Sequence, residues 1–184
     1  MSRPQFHLGL SLTLAAVASS VAVCADSPES MLVEDADTCE VLSNPFAYDH
    51  KLLRLTGLVT RDFETFWIKG SKCADAKPLW IEYGGPKPAD GPEWHDGPAN
   101  PSEIAPLVIE GITTSLEADS KFRKFDSITK SLKRGRRARA TLVGWIVSAG
   151  VEKDEAGNEE EVGYGPYGMY SLLVIQKVDS VSRR

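Results

Sequence analysis

The 184-residue chain is poor in cysteine and histidine and carries no excess of positive charge. Its three cysteines stand at positions 24, 39 and 73. They form no C-x-x-C and have no cysteine–histidine spacing of the kind that builds a zinc site. The histidines are His7, His50 and His95. There is no G-x-S-x-G elbow, and nothing identifies a serine that His50 or His95 would activate. The glycine-rich run at 163–168 precedes a strand and opens no helix, which argues against a phosphate loop. A formal net charge of −5 excludes the overall basic field of a nucleic-acid-binding domain. Asn44-Pro45-Phe46 is not a glycosylation acceptor, and Pro101 disqualifies Asn100-Pro101-Ser102. Internal repeats are also lacking. These absences leave no catalytic constellation, no metal set and no cofactor motif, so a small hydrolase is the remotest reading.

Long apolar runs are lacking too, with one exception at the start. Residues 8–23 are apolar with small residues, preceded by Arg3 and followed by Val23-Cys24-Ala25. That arrangement reads as a secretory signal over residues 1–25, cleaved after Ala25. The run is too short and too rich in Ser and Thr for a membrane span. Ser20-Val21-Ala22 is a second passable cleavage site and would leave Cys24 in the mature chain. Val21-Ala22-Val23-Cys24 faintly resembles a lipoprotein box, which gives lipid anchoring through Cys24 as the minor alternative. Residues 26–36 read as a loose polar terminus. Cleavage after Ala25 leaves Cys39 and Cys73, and an even pair in an oxidising compartment is most simply a disulfide. It would close a loop of about 35 residues, for which the chain-entropy model gives roughly 3–4 kcal/mol. The expected location is secreted or periplasmic.

What is present is mostly strand. Residues 51–60, KLLRLTGLVT, place Leu53, Leu55 and Val59 on one face and Arg54, Thr56 and Thr60 on the other. Gly57 inside that strand suggests a bend, as at a barrel corner. Residues 65–69 set Phe66 and Ile68 against Trp67, and residues 78–83 set Leu79, Ile81 and Tyr83 against Trp80 and Glu82. Residues 107–115 read as one more strand, bent at Gly111. Residues 139–147 and 170–178 are strong buried strands. Asp37 can cap a short helix over 37–42, ended by Asn44-Pro45. Residues 119–134 form the one convincing helix, with Phe122, Phe125, Ile128 and Leu132 at helical spacing. Residues 84–101 are dense in Pro and Gly and read as a long loop.

Five strands with a helix between the third and the fourth is the connectivity of the OB-fold, a small Greek-key barrel. The expectation is a mainly β, single OB-like domain over residues 37–181, with an open α+β sheet as the alternative. On its short motifs the chain resembles a loose group of secreted bacterial proteins of unknown function with OB-like barrels. The motifs are Cys39 with Leu42, Leu53-Arg54-Leu55-Thr56-Gly57, Cys73 before Leu79-Trp80-Ile81, the stretch 140–145, Gly163-Tyr164-Gly165 and the stretch 172–181. In that group a histidine often follows the Gly-Tyr-Gly, and Pro166 stands there here. The resemblance implies fold and compartment and supplies no activity.

OB barrels bind ligands across their second and third strands, often on aromatic rings. Trp67 and Trp80 share the outer face of those strands, with Arg54, Arg61 and Lys69 near in sequence. Hence the leading expectation is a non-catalytic binding module using Trp67, Trp80, Arg54 and Lys69, with the loop at 84–101 as rim. The ligand would be a small molecule, a glycan or a protein. That reading requires both indoles to be exposed in a cleft; the opposing one has them covered by the long loop or the N-terminal segment. The alternative function is an envelope-associated accessory protein that meets a protein partner through the basic helix 119–139. The acidic chain as a whole favours reading its cations as a solvated face, balanced across the fourth strand by the acidic turn 152–161. Glu93-Trp94-His95-Asp96 reads as a solvated loop and not as a metal site. In the run at 163–168, Tyr164 and Tyr167 are expected to pack down on the barrel. An enzyme would require His50 or His95 in a pocket with a carboxylate within hydrogen-bond reach.

Overall fold

The computed structural model describes residues 32–88, 104–153 and 157–184. Five strands close into a mixed barrel: β2 (Leu52–Arg61), β3 (Phe66–Lys69), β4 (Leu79–Tyr83), β9 (Ala138–Val147) and β12 (Leu172–Arg183). The order around the barrel is β2-β3-β4-β12-β9, and β9 returns to β2. The closing ladder is antiparallel and runs from Leu52 opposite Trp145 to Val59 opposite Ala138. It excludes the open sheet. β4 and β12 are parallel, with Trp80 opposite Leu172, and every other barrel pairing is antiparallel. This is an OB-like arrangement.

Period-two alternation builds the interior. Leu53, Leu55 and Val59 of β2 meet Ile68, Leu79, Ile81, Leu142, Ile146, Leu173 and Ile175, all at most 1% exposed. Gly57 sits in the same inward series. A Cβ there would stand 2.5 Å from Ile68 Cγ1 and 2.6 Å from the Lys69 carbonyl oxygen, so β3 crosses where a side chain would be.

Helices close the two ends. α2 (Ser120–Lys130) begins at Asp119, whose carboxylate accepts from the Phe122 N–H at 2.8 Å. Phe125, fully buried, plugs the end where β3 starts and β4 finishes, against Phe66 and Tyr83. α1 (Thr38–Ser43) is capped by Asp37, which accepts from the Cys39 and Glu40 N–H groups. It drives Val41 and Leu42 into the core. The Cys39–Cys73 disulfide, with Cα atoms 5.7 Å apart, ties α1 to the β3–β4 connection.

Several segments depart from the expectations. β1 (Glu34–Asp35) pairs in parallel with Leu53 and Arg54, so the end of the terminus expected to be loose is held to the barrel. β5 (Pro86–Pro88), inside the span expected as a long loop, pairs with β6 (Ile104–Pro106), which lies just beyond it. Residues 1–31 and 89–103, with the signal, Cys24, Trp94 and His95, lie outside the described residues. In place of one bent strand at 107–115 there is a hairpin of β7 (Val108–Ile109) and β8 (Ile112–Thr113). Its two-residue turn has φ 47° at Glu110 and 83° at Gly111, the primed turn that matches strand twist. α2 stops at Lys130, four residues early, and Leu132 lies beyond it. β12 runs to Arg183, because β9 offers partners down to Ala138. The acidic turn is itself a hairpin of β10 (Gly150–Lys153) and β11 (Glu159–Val162).

Replacing Cys39 and Cys73 together by alanine is expected to lower unfolding free energy by about 3–4 kcal/mol. Urea unfolding checks this, and an unchanged midpoint would show that the link does not constrain the unfolded chain.

Candidate functional site

Trp67 and Trp80 are direct cross-strand partners on the outer face of β3 and β4. They are not equally available. Trp80 is 6% exposed and belongs to a second apolar cluster outside the barrel, with Val147, Leu172 and Val174. Leu107, Ile109, Trp145, Tyr164 and Tyr170 pack on that cluster. The Tyr170 ring lies 6.3 Å from Trp80, centroid to centroid, and 5.9 Å from Trp67. Gly165, at φ 69°, brings the backbone so close that a Cβ would stand 2.7 Å from Trp80 Cε3. The Trp80 N–H points to Glu82 at 3.4 Å. The expected pair of exposed indoles is therefore corrected: the 163–170 segment covers Trp80, Ile109 of the β7–β8 hairpin packs on the same cluster, and Trp67 remains half-buried.

The two cations assigned with them also part company. Arg54 lies farther round the barrel, donating from Nη1 to Asp35 at 2.9 Å and from Nε to Asp179 at 2.8 Å. Asp35 first, then Asp179, hold its guanidinium still more firmly protonated than usual. That makes it a strap between β1, β2 and β12. Lys69 stays beside Trp67. Its ammonium donates to the Ala74 carbonyl at 3.2 Å, a neutral partner that leaves its charge uncompensated. Trp67 and Lys69 together line a hollow of about 150 Å³ with Leu58, Thr60, Gly135 and Arg137. Leu58 opposes Lys69 and Thr60 opposes Trp67 in the β2–β3 ladder, so strand register sets the hollow's floor. Gly135 and Arg137 come from the linker between α2 and β9.

That linker is where the basic run differs from its expected form. Lys130 pairs with Asp126 at 2.9 Å. Lys133, Arg134, Arg136 and Arg137 are exposed in the connection to β9 and make no side-chain ion pair among the described residues. The acidic β10–β11 hairpin does not answer them: it leaves the far end of β9, a ten-residue strand of about 33 Å.

His50 meets the carboxylate part of the enzyme requirement. Its Nε2 lies 3.1 Å from Glu110 Oε2, and its Nδ1 lies 4.0 Å from Asp49 Oδ2. Glu110 Oε1 accepts from the Tyr164 hydroxyl at 2.9 Å, and Asp49 Oδ1 accepts from the Ser148 N–H at 2.7 Å. One oxygen of each acid is thus held, and the other faces the imidazole. Among the described residues, His50 and Glu110 are the two non-glycine residues with positive φ. One ligand atom each from Asp49, His50 and Glu110 lies within 4.8 Å of the others. The acids approach the ring from its two different nitrogens, however, which clamps an imidazole and does not turn three ligands to one point. The ring is 46% exposed and has no hydroxyl or thiol partner among the described residues. The cluster is a polar latch that fastens the β7–β8 turn to His50 and to Tyr164, beside the apolar cluster that holds Trp80.

One more polar network is nearly enclosed. Arg61 Nη1 donates to Tyr83 Oη at 2.8 Å and to Asp126 Oδ1 at 2.9 Å, and Tyr83 donates to the same Asp126 oxygen at 2.9 Å. The guanidinium also lies over the Phe66 ring, 4.6 Å from its centroid. Burial opposes ionisation of Asp126, but hydrogen bonds from Lys130, Tyr83 and Arg61 outweigh it, and the carboxyl lies below its usual range. Burial raises the Tyr83 hydroxyl above its ordinary value; the Arg61 charge opposes this and Asp126 adds to it. The network locks α2 to β2 and β4.

The sequence reading missed Tyr170, Glu110 and the latch. Glu110-Gly111 between two β-branched pairs, Val108-Ile109 and Ile112-Thr113, is a hairpin signal that was available. The pairing of His50 with Glu110 has no signal along the chain. No helix among the described residues is long and apolar enough to cross a membrane. No family model, no curated protein and no solved structure matches this chain.

Asp126→Asn is expected to cost about 2 kcal/mol at neutral pH through lost charged hydrogen bonds. A carboxyl with a lowered native pKa stabilises above its unfolded value, and this is lost as pH falls through the native one. The gap between wild type and variant should therefore close on acidification; a gap independent of pH would contradict the network. Gly165→Val is expected to destabilise by at least about 2 kcal/mol, since it adds strain at positive φ to a collision with Trp80. Equal denaturation midpoints would show that the segment does not seal the indole.

Proposed function

We propose that the chain is a non-catalytic binding module that works outside the cytoplasm and takes its ligand on the outer face of β2 and β3. The observation that carries this reading is the hollow around Trp67: a half-buried indole beside two cations, Lys69 and Arg137, with no acid in its lining. An indole gives a ring-shaped ligand an apolar contact, and a cation in a concave site selects a negative group. The site sits on strands fixed by the barrel ladder, so its side chains are held before a ligand arrives. The second candidate indole is withdrawn under Tyr170, which confines the ligand face to the β2–β3 side. The compartment is supported by the leader-like residues 1–25 and by the Cys39–Cys73 disulfide, a bond that persists in oxidising surroundings. The resemblance to secreted OB-like proteins points the same way.

A second reading, docking to a protein partner, is favoured by the unpaired cations at 133–137. They lie on the linker and on no ridge of α2, so a partner would be met at the end of the barrel.

Screening small molecules and oligosaccharides by thermal shift tests the first reading. Compounds that raise the melting temperature of the wild type are expected not to raise that of Trp67→Ala. Stabilisation that survives the substitution places the ligand elsewhere. Intact mass of the exported protein is expected to show loss of residues 1–25, or of residues 1–22; an uncleaved chain would overturn the compartment.

A further inference from the structure

We infer that the ligand is a linear acidic polysaccharide, a chain of sugar rings bearing carboxylate or sulfate groups, laid across the α2–β9 linker. This rests on the binding-module reading and deepens it. The linker divides its residues between two hollows. Gly135 and Arg137 face the hollow that holds Trp67 and Lys69. Lys133 and Arg136 face a second, of about 400 Å³, completed by Ser131, Leu132, Arg183 and Arg184. No aspartate or glutamate lines either hollow. In the second, Arg183 donates to the Ser131 hydroxyl at 3.1 Å and Arg136 to the Arg184 main-chain oxygen at 3.2 Å. Six cations thus flank one short segment of a chain whose formal charge is −5. A single small anion would use one hollow. A ligand with repeating negative groups satisfies both, and its charge complements this end of the barrel.

Three polyanions fit that charge, and the surroundings separate them. Single-stranded nucleic acid on an OB-like barrel needs a row of aromatic platforms on strands two and three. Here Trp80 is sealed, and among the described residues Trp67 is the one indole that lines either hollow. An anionic bilayer would need apolar side chains beside the cations. The exposed Phe63, 92% accessible at the β2–β3 turn, lines neither hollow, so no large exposed apolar side chain stands beside the cations there. A sugar chain needs one or a few apolar ring contacts and charges spaced along its length, which is what Trp67 and the linker supply.

The test is calorimetric titration of the full chain at about 0.15 M salt, with tryptophan fluorescence in parallel. The probes are an oligogalacturonate, a sulfated oligosaccharide, a neutral oligoglucan of equal length, an oligothymidylate, and vesicles of phosphatidylglycerol with phosphatidylcholine. The variants are Lys69→Gln with Arg137→Gln, Lys133→Gln with Arg136→Gln, and Lys121→Gln with Lys124→Gln on α2 as control, each checked for an unchanged melting curve. The expected result is that at least one acidic oligosaccharide binds, weakens with added salt, and loses about tenfold or more in affinity with either linker pair. The control pair should change it by less than about twofold, and the neutral glucan should not bind. The two acidic probes tell carboxylate from sulfate. If the oligothymidylate or the vesicles bind more tightly through the same cations, the polysaccharide is overturned and the binding face stands. If the neutral glucan binds and needs only Trp67, the charge argument falls and the module reading survives. If acidic oligosaccharides bind but neither linker pair matters, both the inference and the proposed face are wrong.

Discussion

The ladder between β2 and β9 is the constraint on which the rest depends. Once Leu52–Val59 pairs with Ala138–Trp145, the sheet has no free long edge and its inner face must be filled by one side chain in two from every strand. Leu, Ile and Val do this, and Phe125, with Val41 and Leu42, stops the two ends. Closure also fixes what remains outside. The outer face of β4, β12 and the end of β9 is apolar and has to be covered. The outer face of β2 and β3, with Thr56, Thr60, Trp67 and Lys69, is only partly covered. The Tyr164–Tyr170 segment and the β7–β8 hairpin supply the cover, and the latch at His50 and Glu110 holds it down.

Alternation and capping were legible because both are local. Each inward residue named on the first three strands is in the core or packed against it, and Asp37 caps the helix expected of it. The Cys39–Cys73 link was legible by counting. What failed was what tertiary contact decides. Trp80 alternates outward as expected, yet outward is not exposed when another loop folds over it. Helix α2 carries its apolar spacing on to Leu132, but the chain turns away at Ser131 toward β9. β12 outruns its apolar stretch because a long neighbour pairs with it. The proposed balance between the basic run and the acidic turn failed on geometry, since a full strand stands between them. Residue types had indicated where charge lies along the chain and not which end of a cylinder it reaches.

For function, an OB-like barrel is a frame that hosts many ligands, so the argument rests on the site and not on the fold. The usual ligand face across strands two and three is half closed by the protein's own aromatic loop. What stays accessible is narrower and differently placed: one indole, a threonine hydroxyl and a band of unpaired cations that wraps from β3 round the linker to the end of β12. A rigid scaffold with an open basic rim suits recognition of an extended anion better than enclosure of a small substrate. The polar clusters at Asp126 and at His50 do structural work, each fastening one peripheral element to the barrel.

The central claim is that the barrel seals Trp80 while leaving Trp67 at the surface. Hydroxyl-radical footprinting of the native protein, read residue by residue by mass spectrometry, tests it most directly. Trp67 should oxidise readily, and Trp80 should stay protected until the protein unfolds. Native-state oxidation of Trp80 as fast as that of Trp67 would contradict the account.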